Sequence, residues 1–178
     1  LVDLWSESMT TLAMIFTAVL FCMLIGIPLG ILASRSNTFE IILRPILDIM
    51  QTIPSFVYLI PVVMLFRVGD FTAMIAVILY ALAPAVRYTA HGVRNINNQI
   101  VEAALISGCS PRQLLFKIKL PLALPEILLG INQTIMLALS MLVITALVGT
   151  RDLGQEVYIG LTKADIGRGL VAGLCVAF

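Results

Sequence analysis

Side chains able to do chemistry are few and scattered in this sequence. Cys22, Cys109 and Cys175 show neither C-x-x-C nor paired spacing, so no disulfide framework is expected. His91 has no Cys or His beside it and reads as an ordinary polar residue near a helix end, not as a metal ligand. There is no G-x-x-x-x-G-K-[ST] run and no serine, histidine and acid set out for hydrolysis, so the chain is expected to bind no nucleotide and to catalyse nothing. What remains is recognition chemistry. Gln133, Met136, Leu137 and Ser140 fall on one helical face of a long apolar run. Such a stripe suits the lining of a solute path. It equally suits hydrogen bonding between helices, worth about 0.6 kcal/mol on average in a membrane. Phe56, Tyr58 and Tyr80 could offer ring faces to a quaternary ammonium group; the competing role is packing or interfacial anchoring.

The elements that position these residues must lie in lipid. Of 178 residues, 60% are hydrophobic and 12% charged, and mean hydropathy is +1.06. An average soluble domain carries about 25% charged residues, and a soluble fold of this length could not bury so much apolar surface. A net charge of +1 gives no field that would attract nucleic acid. The first residues are acidic (Asp3, Glu7), without the basic start of a cleavable signal peptide. The chain begins without Met and stops inside an apolar run, so a fragment is expected, open at both ends.

The spacing predicts an all-α, polytopic bundle of about five membrane spans, forming a single domain over 1–178. The first uncharged run, Ser8 to Ser34, is ample for one tilted helix. Asn37 with Glu40 fits an N-cap and its N3 acid. The segment that follows is amphipathic, then uncharged from Ile49 to Phe66, and Pro54 and Pro61 should each kink or interrupt it. A third run, Phe71 to Val86, spans only if it continues past Arg87. Pro125 suits position N1 of a fourth span that runs to Thr150, and Glu126 there complements the helix dipole. Asp152 and Gln155 have capping-box spacing, and Asp165 could cap a fifth span cut short at Phe178. Arg35, Arg44, Arg87, Arg94, Arg112, Lys117 and Lys119 fall on one side of such a bundle. Arg67, Arg151, Lys163 and Arg168 fall on the other, which makes the first side cytoplasmic.

The polar loop at about 95–121 has legible local physics. Glu102 to Ile106 suits a packed helix, and Gly108 supplies the positive φ that helix ends commonly need. Ser110 is a natural N-cap, Pro111 fits N1 and Gln113 completes a capping box. The expected result is helix, tight turn, short helix, then Pro121 before the next span: a stiff lever across the cytoplasmic face.

This loop resembles the EAA loop of bacterial ABC importer permeases. Glu102-Ala103-Ala104, Gly108 and Ile118-Lys119-Leu120-Pro121 match its pattern at the right spacing. A wider likeness, in Met50-Gln51-Thr52-Ile53-Pro54-Ser55-Phe56, Asn132 to Met141 and Asp152-Leu153-Gly154-Gln155, is to permeases of glycine betaine and proline osmoprotectant importers. The resemblance implies the type I importer permease fold in the bacterial inner membrane, and a path for a small zwitterion or quaternary amine. Choline, amino acids or another small solute are the alternatives. It also implies that Glu102, Ala103, Ala104, Gly108, Ser110, Pro111, Arg112, Leu120 and Pro121 couple the chain to separate ABC ATPase subunits. Those subunits would use the ATP and Mg; this chain would hold no cofactor. A substrate-binding protein outside and a second permease copy, as a homodimer, would complete the assembly. An ion-coupled secondary transporter, the rival reading, should carry ionisable residues within spans and two repeated halves, whereas the spans are expected to hold almost no buried charge and no internal repeat is evident.

Overall fold

The computed structural model describes residues 3–150 and 152–177, and every regular element among them is helical. Arg151, counted above among the outer cations, and Phe178 lie outside the described residues. In chain order the helices are α1 (Asp3–Arg35), α2 (Asn37–Thr52), α3 (Ser55–Phe66), α4 (Asp70–Arg94), α5 (Asn98–Ile106) and α6 (Pro111–Gln113). A π-helical turn (Leu114–Lys119) leads into α7 (Leu120–Thr145), followed by a 3-10 turn (Ala146–Val148), α8 (Leu153–Thr162) and α9 (Ile166–Ala177).

Three helical stretches are long and apolar enough to cross a membrane: Trp5–Arg35, Asp70–Arg94 and Pro111–Thr145. The third expected run does continue past Arg87, to Arg94. The expected second span is a bent pair instead, α2 and α3 meeting at 97°. Proline disfavours helical geometry in the residue before it, and Ile53, just ahead of Pro54, is extended at φ −70° and ψ 129°. Pro61, expected to kink the same segment, is carried inside α3. The fifth expected span is the short apolar helix Ile166–Val176.

α4 is the central rod, packed along α1 on one side and α7 on the other. Its inward positions are small: Ala73, Ala76, Ala81, Ala83 and Ala85 have no exposed surface. Small residues let helix backbones approach in a membrane, where lipid offers no hydrophobic drive to association. Gly26 and Gly30 of α1 face Ala85 and Thr89, so close that a Cβ on either glycine would come within 2.6 Å. The main cluster joins Ala18 and Cys22, Leu59, Ala76, Val77 and Ala81, and Ala138, Met141 and Leu142. Trp5, Phe16, Leu24, Met64 and Leu65 point outward, each more than half exposed, as a lipid-facing surface requires.

Two cap assignments move. Ser36, not Asn37, caps α2: its Oγ accepts from Phe39 N at 3.3 Å, while Asn37 Oδ1 accepts from Arg94 Nη2 at 2.8 Å. Pro125 does not start the fourth span, because that helix runs unbroken from Pro111 to Thr145. Pro121 is the proline near the start of α7. At the other end of the bundle Asp152 Oδ1 accepts from Gln155 N at 3.0 Å, the capping half of the expected box, and Asp165 Oδ1 accepts from Arg168 N at 3.1 Å, as expected. Thr11 Oγ1 accepts from Leu153 N at 2.9 Å and ties α1 to α8.

Candidate functional site: an elbow and a cavity

At the end of the bundle that carries Arg35, α5 turns sharply into α6. Asn97 starts α5, accepting from Gln99 N at 2.9 Å. The helix closes with Gly108 N donating to Leu105 O at 3.0 Å and Cys109 N to Ala104 O at 3.1 Å. This pair of bonds is the Schellman motif, and Gly108 takes its left-handed position at φ +79°. Two residues later the capping box forms: Gln113 N donates to Ser110 Oγ at 3.3 Å and Ser110 N to Gln113 Oε1 at 2.9 Å. Helix end, turn and next helix start are bonded to one another within about ten residues, so the elbow's shape is locally determined.

The short helix expected to end before Pro121 does not end. Leu120 N donates to Leu115 O, five residues back, and the widened turn merges α6 into α7. Pro121 has no N–H for the carbonyl four residues back, and a π-turn absorbs such a mismatch without breaking the rod. Leu115 anchors the elbow: it is 5% exposed and packs with Val93, Ala123 and Ile127, against which Ile27 and Ile31 also lie. Ala104 is buried, whereas Glu102, Ala103, Gly108, Ser110, Pro111, Arg112 and Pro121 are exposed and Leu120 is half-buried. Ile106 at 88% and Phe116 at 65% exposure put apolar surface on the outside of the elbow.

The path candidates are not all brought together. Gln133 and Leu137 line a cavity of about 320 Å3 between α4 and α7 and reached by α2, with Gln51, Pro84, Arg87, Tyr88, His91 and Glu126. Met136 and Ser140 are exposed beyond it, and the Ser140 hydroxyl donates to Met136 O at 2.9 Å. Phe56 lies in a separate apolar groove with Leu59, Ile60 and Met64. Tyr58 is a packing residue here: its hydroxyl donates to Met50 O and its ring meets Tyr80 edge to face, centroids 5.8 Å apart.

Two glycines bring the helices together at two of the lining residues. A Cβ on Gly92 would come within 2.7 Å of Glu126 Cβ, and one on Gly130 within 2.9 Å of Tyr88 Cβ. α4 and α7 therefore meet at van der Waals limits where Tyr88 and Glu126 emerge. His91 Nδ1 lies 3.7 Å from Glu126 Oε2, and Arg87 donates to Asp48. Arg87 and His91 also wall a second cavity of about 470 Å3, lined by Glu40, Arg44, Arg94 and Asn95. There Arg94 pairs with Glu40 and reaches Ala33 O at 3.3 Å, holding α2 against α1 and α4.

Glu126 overturns the expectation that it marks a helix start, and it lies with Arg87 and His91 on helix faces where each side chain stays at least a third exposed. Their signal is present as spacing. Pro84, Arg87, Tyr88 and His91 recur at i, i+3, i+4 and i+7, and Glu126, Gln133 and Leu137 at i, i+7 and i+11, each set one face of a helix.

A model of the family described as binding-protein-dependent transport system inner membrane component matches residues 26–178. The chain is 48% identical over 170 residues to the glycine betaine/proline betaine transport system permease protein ProW of Escherichia coli (strain K12), covering 96% of this chain and 48% of that one. It is 44% identical to the glycine betaine/carnitine transport permease protein GbuB of Listeria monocytogenes serotype 1/2a, over 98% of this chain and 62% of that one. The chain thus spans about half to three fifths of the length of these curated relatives. In structure it is similar to a chain of the MetNI methionine ABC transporter in an inward-facing conformation, with TM-score 0.85 at 22% identity, covering 99% of this chain and 89% of that one.

Proposed function

We propose, since the chain belongs to the family of binding-protein-dependent transport system inner membrane components, that it is the membrane-spanning permease of an ATP-driven importer for small zwitterionic or quaternary-amine osmolytes. The observation that carries this reading is the capped elbow at Gly108, which holds the Glu102-Ala103-Ala104 motif at one end of the bundle and leaves Ile106 and Phe116 facing outward. A rigid, apolar, exposed feature continuous with a span suits docking in a groove of a partner. Separate ATPase subunits would dock there and bind the ATP and Mg. A substrate-binding protein would deliver cargo at the opposite face, and a second permease copy, as a homodimer, would complete the path in a bacterial inner membrane. Closure of the ATPases would then move the elbows, and rocking of the two halves would alternate access. The names of the relatives, glycine betaine and proline betaine permeases at 48% identity among them, support the cargo class.

The experiment is uptake of labelled glycine betaine into proteoliposomes holding the permease, its ATPase and its binding protein. Uptake should require internal or external ATP on the ATPase side, and Gly108→Pro or Glu102→Lys should abolish it. Uptake that persists without ATP sinks the reading and brings the ion-coupled alternative forward, which Arg87, His91 and Glu126 would then serve.

A further inference from the structure

We propose that the cavity between α4 and α7 is itself a weak binding site for a zwitterion, with Tyr88 and Glu126 receiving a quaternary ammonium end and Arg87 a carboxylate end. This rests on the importer reading and says where within the permease cargo is held.

A quaternary ammonium has no N–H to donate, so only ring faces and full negative charges can recognise it. The cavity's lining holds one of each, Tyr88 and Glu126. Tyr88 and Glu126 emerge where Gly130 and Gly92 bring the two helices into contact, which fixes the stems of both side chains. The Glu126 side chain is 38% exposed and lines the cavity, and its approach to His91, at 3.7 Å, is too long for a hydrogen bond, so its carboxylate keeps acceptor capacity there. A carboxylate is best met by an arginine fork. Arg87 gives Nη2 to Asp48, which steadies the guanidinium and leaves most of its five donors available. Arg87 and Tyr88 are consecutive on α4, so their side chains leave the helix about 100° apart and divide the cavity into an anion-binding and a cation-binding side. At about 320 Å3 the space suits an amino-acid-sized solute, at the small end of ligand pockets, roughly 300–1,000 Å3. One ring rather than a cage, and an open wall, suit weak binding that allows release. The second cavity, sharing Arg87 and His91, continues toward Arg94 and Asn95 at the elbow end of the bundle.

The test uses the assembled permease–ATPase complex in nanodiscs without binding protein, with glycine betaine as the probe and saturation-transfer NMR as the readout. Wild type should transfer magnetisation to the trimethylammonium protons above the level of empty nanodiscs. Glu126→Gln and Tyr88→Leu should weaken binding about tenfold, near the upper range of one desolvated cation–π contact. Tyr88→Phe should retain binding because the ring remains. Arg87→Gln should weaken glycine betaine but spare choline, which has no carboxylate. Co-elution of each variant with the ATPase on size exclusion separates lost binding from lost folding. Transfer no greater than that of empty nanodiscs, or variants that assemble and bind as wild type does, overturns the proposal. Uptake measured on the same wild-type preparation keeps the two readings apart: uptake without cavity binding sinks only the site, whereas no ATP-dependent uptake sinks the importer assignment.

Discussion

Gly130 of α7 packs on Tyr88 of α4 so closely that a β-carbon on the glycine would lie 2.9 Å from the tyrosine's own. Neither helix can draw back without opening the interface that also fixes Glu126 against Gly92. Gly130→Val should therefore destabilise the permease by about 1–3 kcal/mol, the usual cost of overpacking. Its melting temperature in detergent, followed by the aggregation of the purified complex, should fall by several degrees. An unchanged melting temperature would mean that α4 and α7 slide freely at this point.

Gly108 meets nothing within 4 Å of the position its β-carbon would occupy, yet its φ is +79°. A substitution there costs only backbone strain, roughly 1–2 kcal/mol for an ordinary residue in the left-handed region. Asn tolerates that region better than branched residues do. On the proposed importer reading, ATP-dependent uptake should fall in the order wild type, Gly108→Asn, Gly108→Val. Equal activity of the Asn and Val variants would show that the turn relaxes to another conformation without consequence.

The Ser110 capping box holds the start of a rod that runs to Thr145. Ser110→Ala should cost about 1 kcal/mol, the usual loss on removing an N-cap. Gln113→Ala added to it should cost less than its own single change, because the two bonds are reciprocal. Proteolysis within the elbow, compared across the two single variants and the double, reads both effects. Strict additivity would mean that the box does not act as a unit.

Loop residues 97–113 are legible in the sequence because their geometry is decided within a few positions: Gly108 for the left-handed turn, Ser110 and Gln113 for the box. The cavity is hidden for the opposite reason. A charge at Arg87 reads as the end of an apolar run, yet α4 continues two turns beyond it because Asp48 and the neighbouring helices receive the charge. Pro125 reads as a first-turn proline. The π-turn ahead of Pro121 lets the helix begin well before it, so Glu126 lies mid-helix and against His91. Which faces of two distant helices meet is a tertiary fact, and here small residues at Gly92 and Gly130 decide it.

Asp152 caps α8 with one carboxylate oxygen, while the other is buried with no hydrogen-bond partner among the described residues. Burial raises its pKa above the ordinary 3.8, the nearby Asp70 adds to the rise, and backbone hydrogen bonds from Gln155 and Gly154 oppose it. A carboxyl whose native pKa is raised penalises the fold once ionised: stability falls as pH rises from the unfolded value through the native one, and the full penalty stands above it. Asp152→Asn keeps the cap and removes the titration. Its melting temperature should vary less between mildly acidic and neutral pH than that of wild type and should match or exceed it at neutral pH. A larger pH response in the variant would place the titrating group elsewhere.

The unbroken helix from Pro111 to Thr145 has a mechanical corollary. Its 35 residues, at 1.5 Å each, make a strut about 50 Å long, with one end at the elbow and the other at the far mouth of the bundle. A linkage of separate pieces dissipates displacement at every joint, whereas a strut delivers it. Any tilt imposed at Phe116 must reappear, reversed about wherever the helix is gripped, at Leu142 and Thr145. The grip is where Gly92 and Gly130 clasp α4 and α7 together, beside Tyr88 and Glu126. One residue pair thus sits near the fulcrum, where travel is least, and a solute held there would feel the two mouths exchange while its own contacts hardly move.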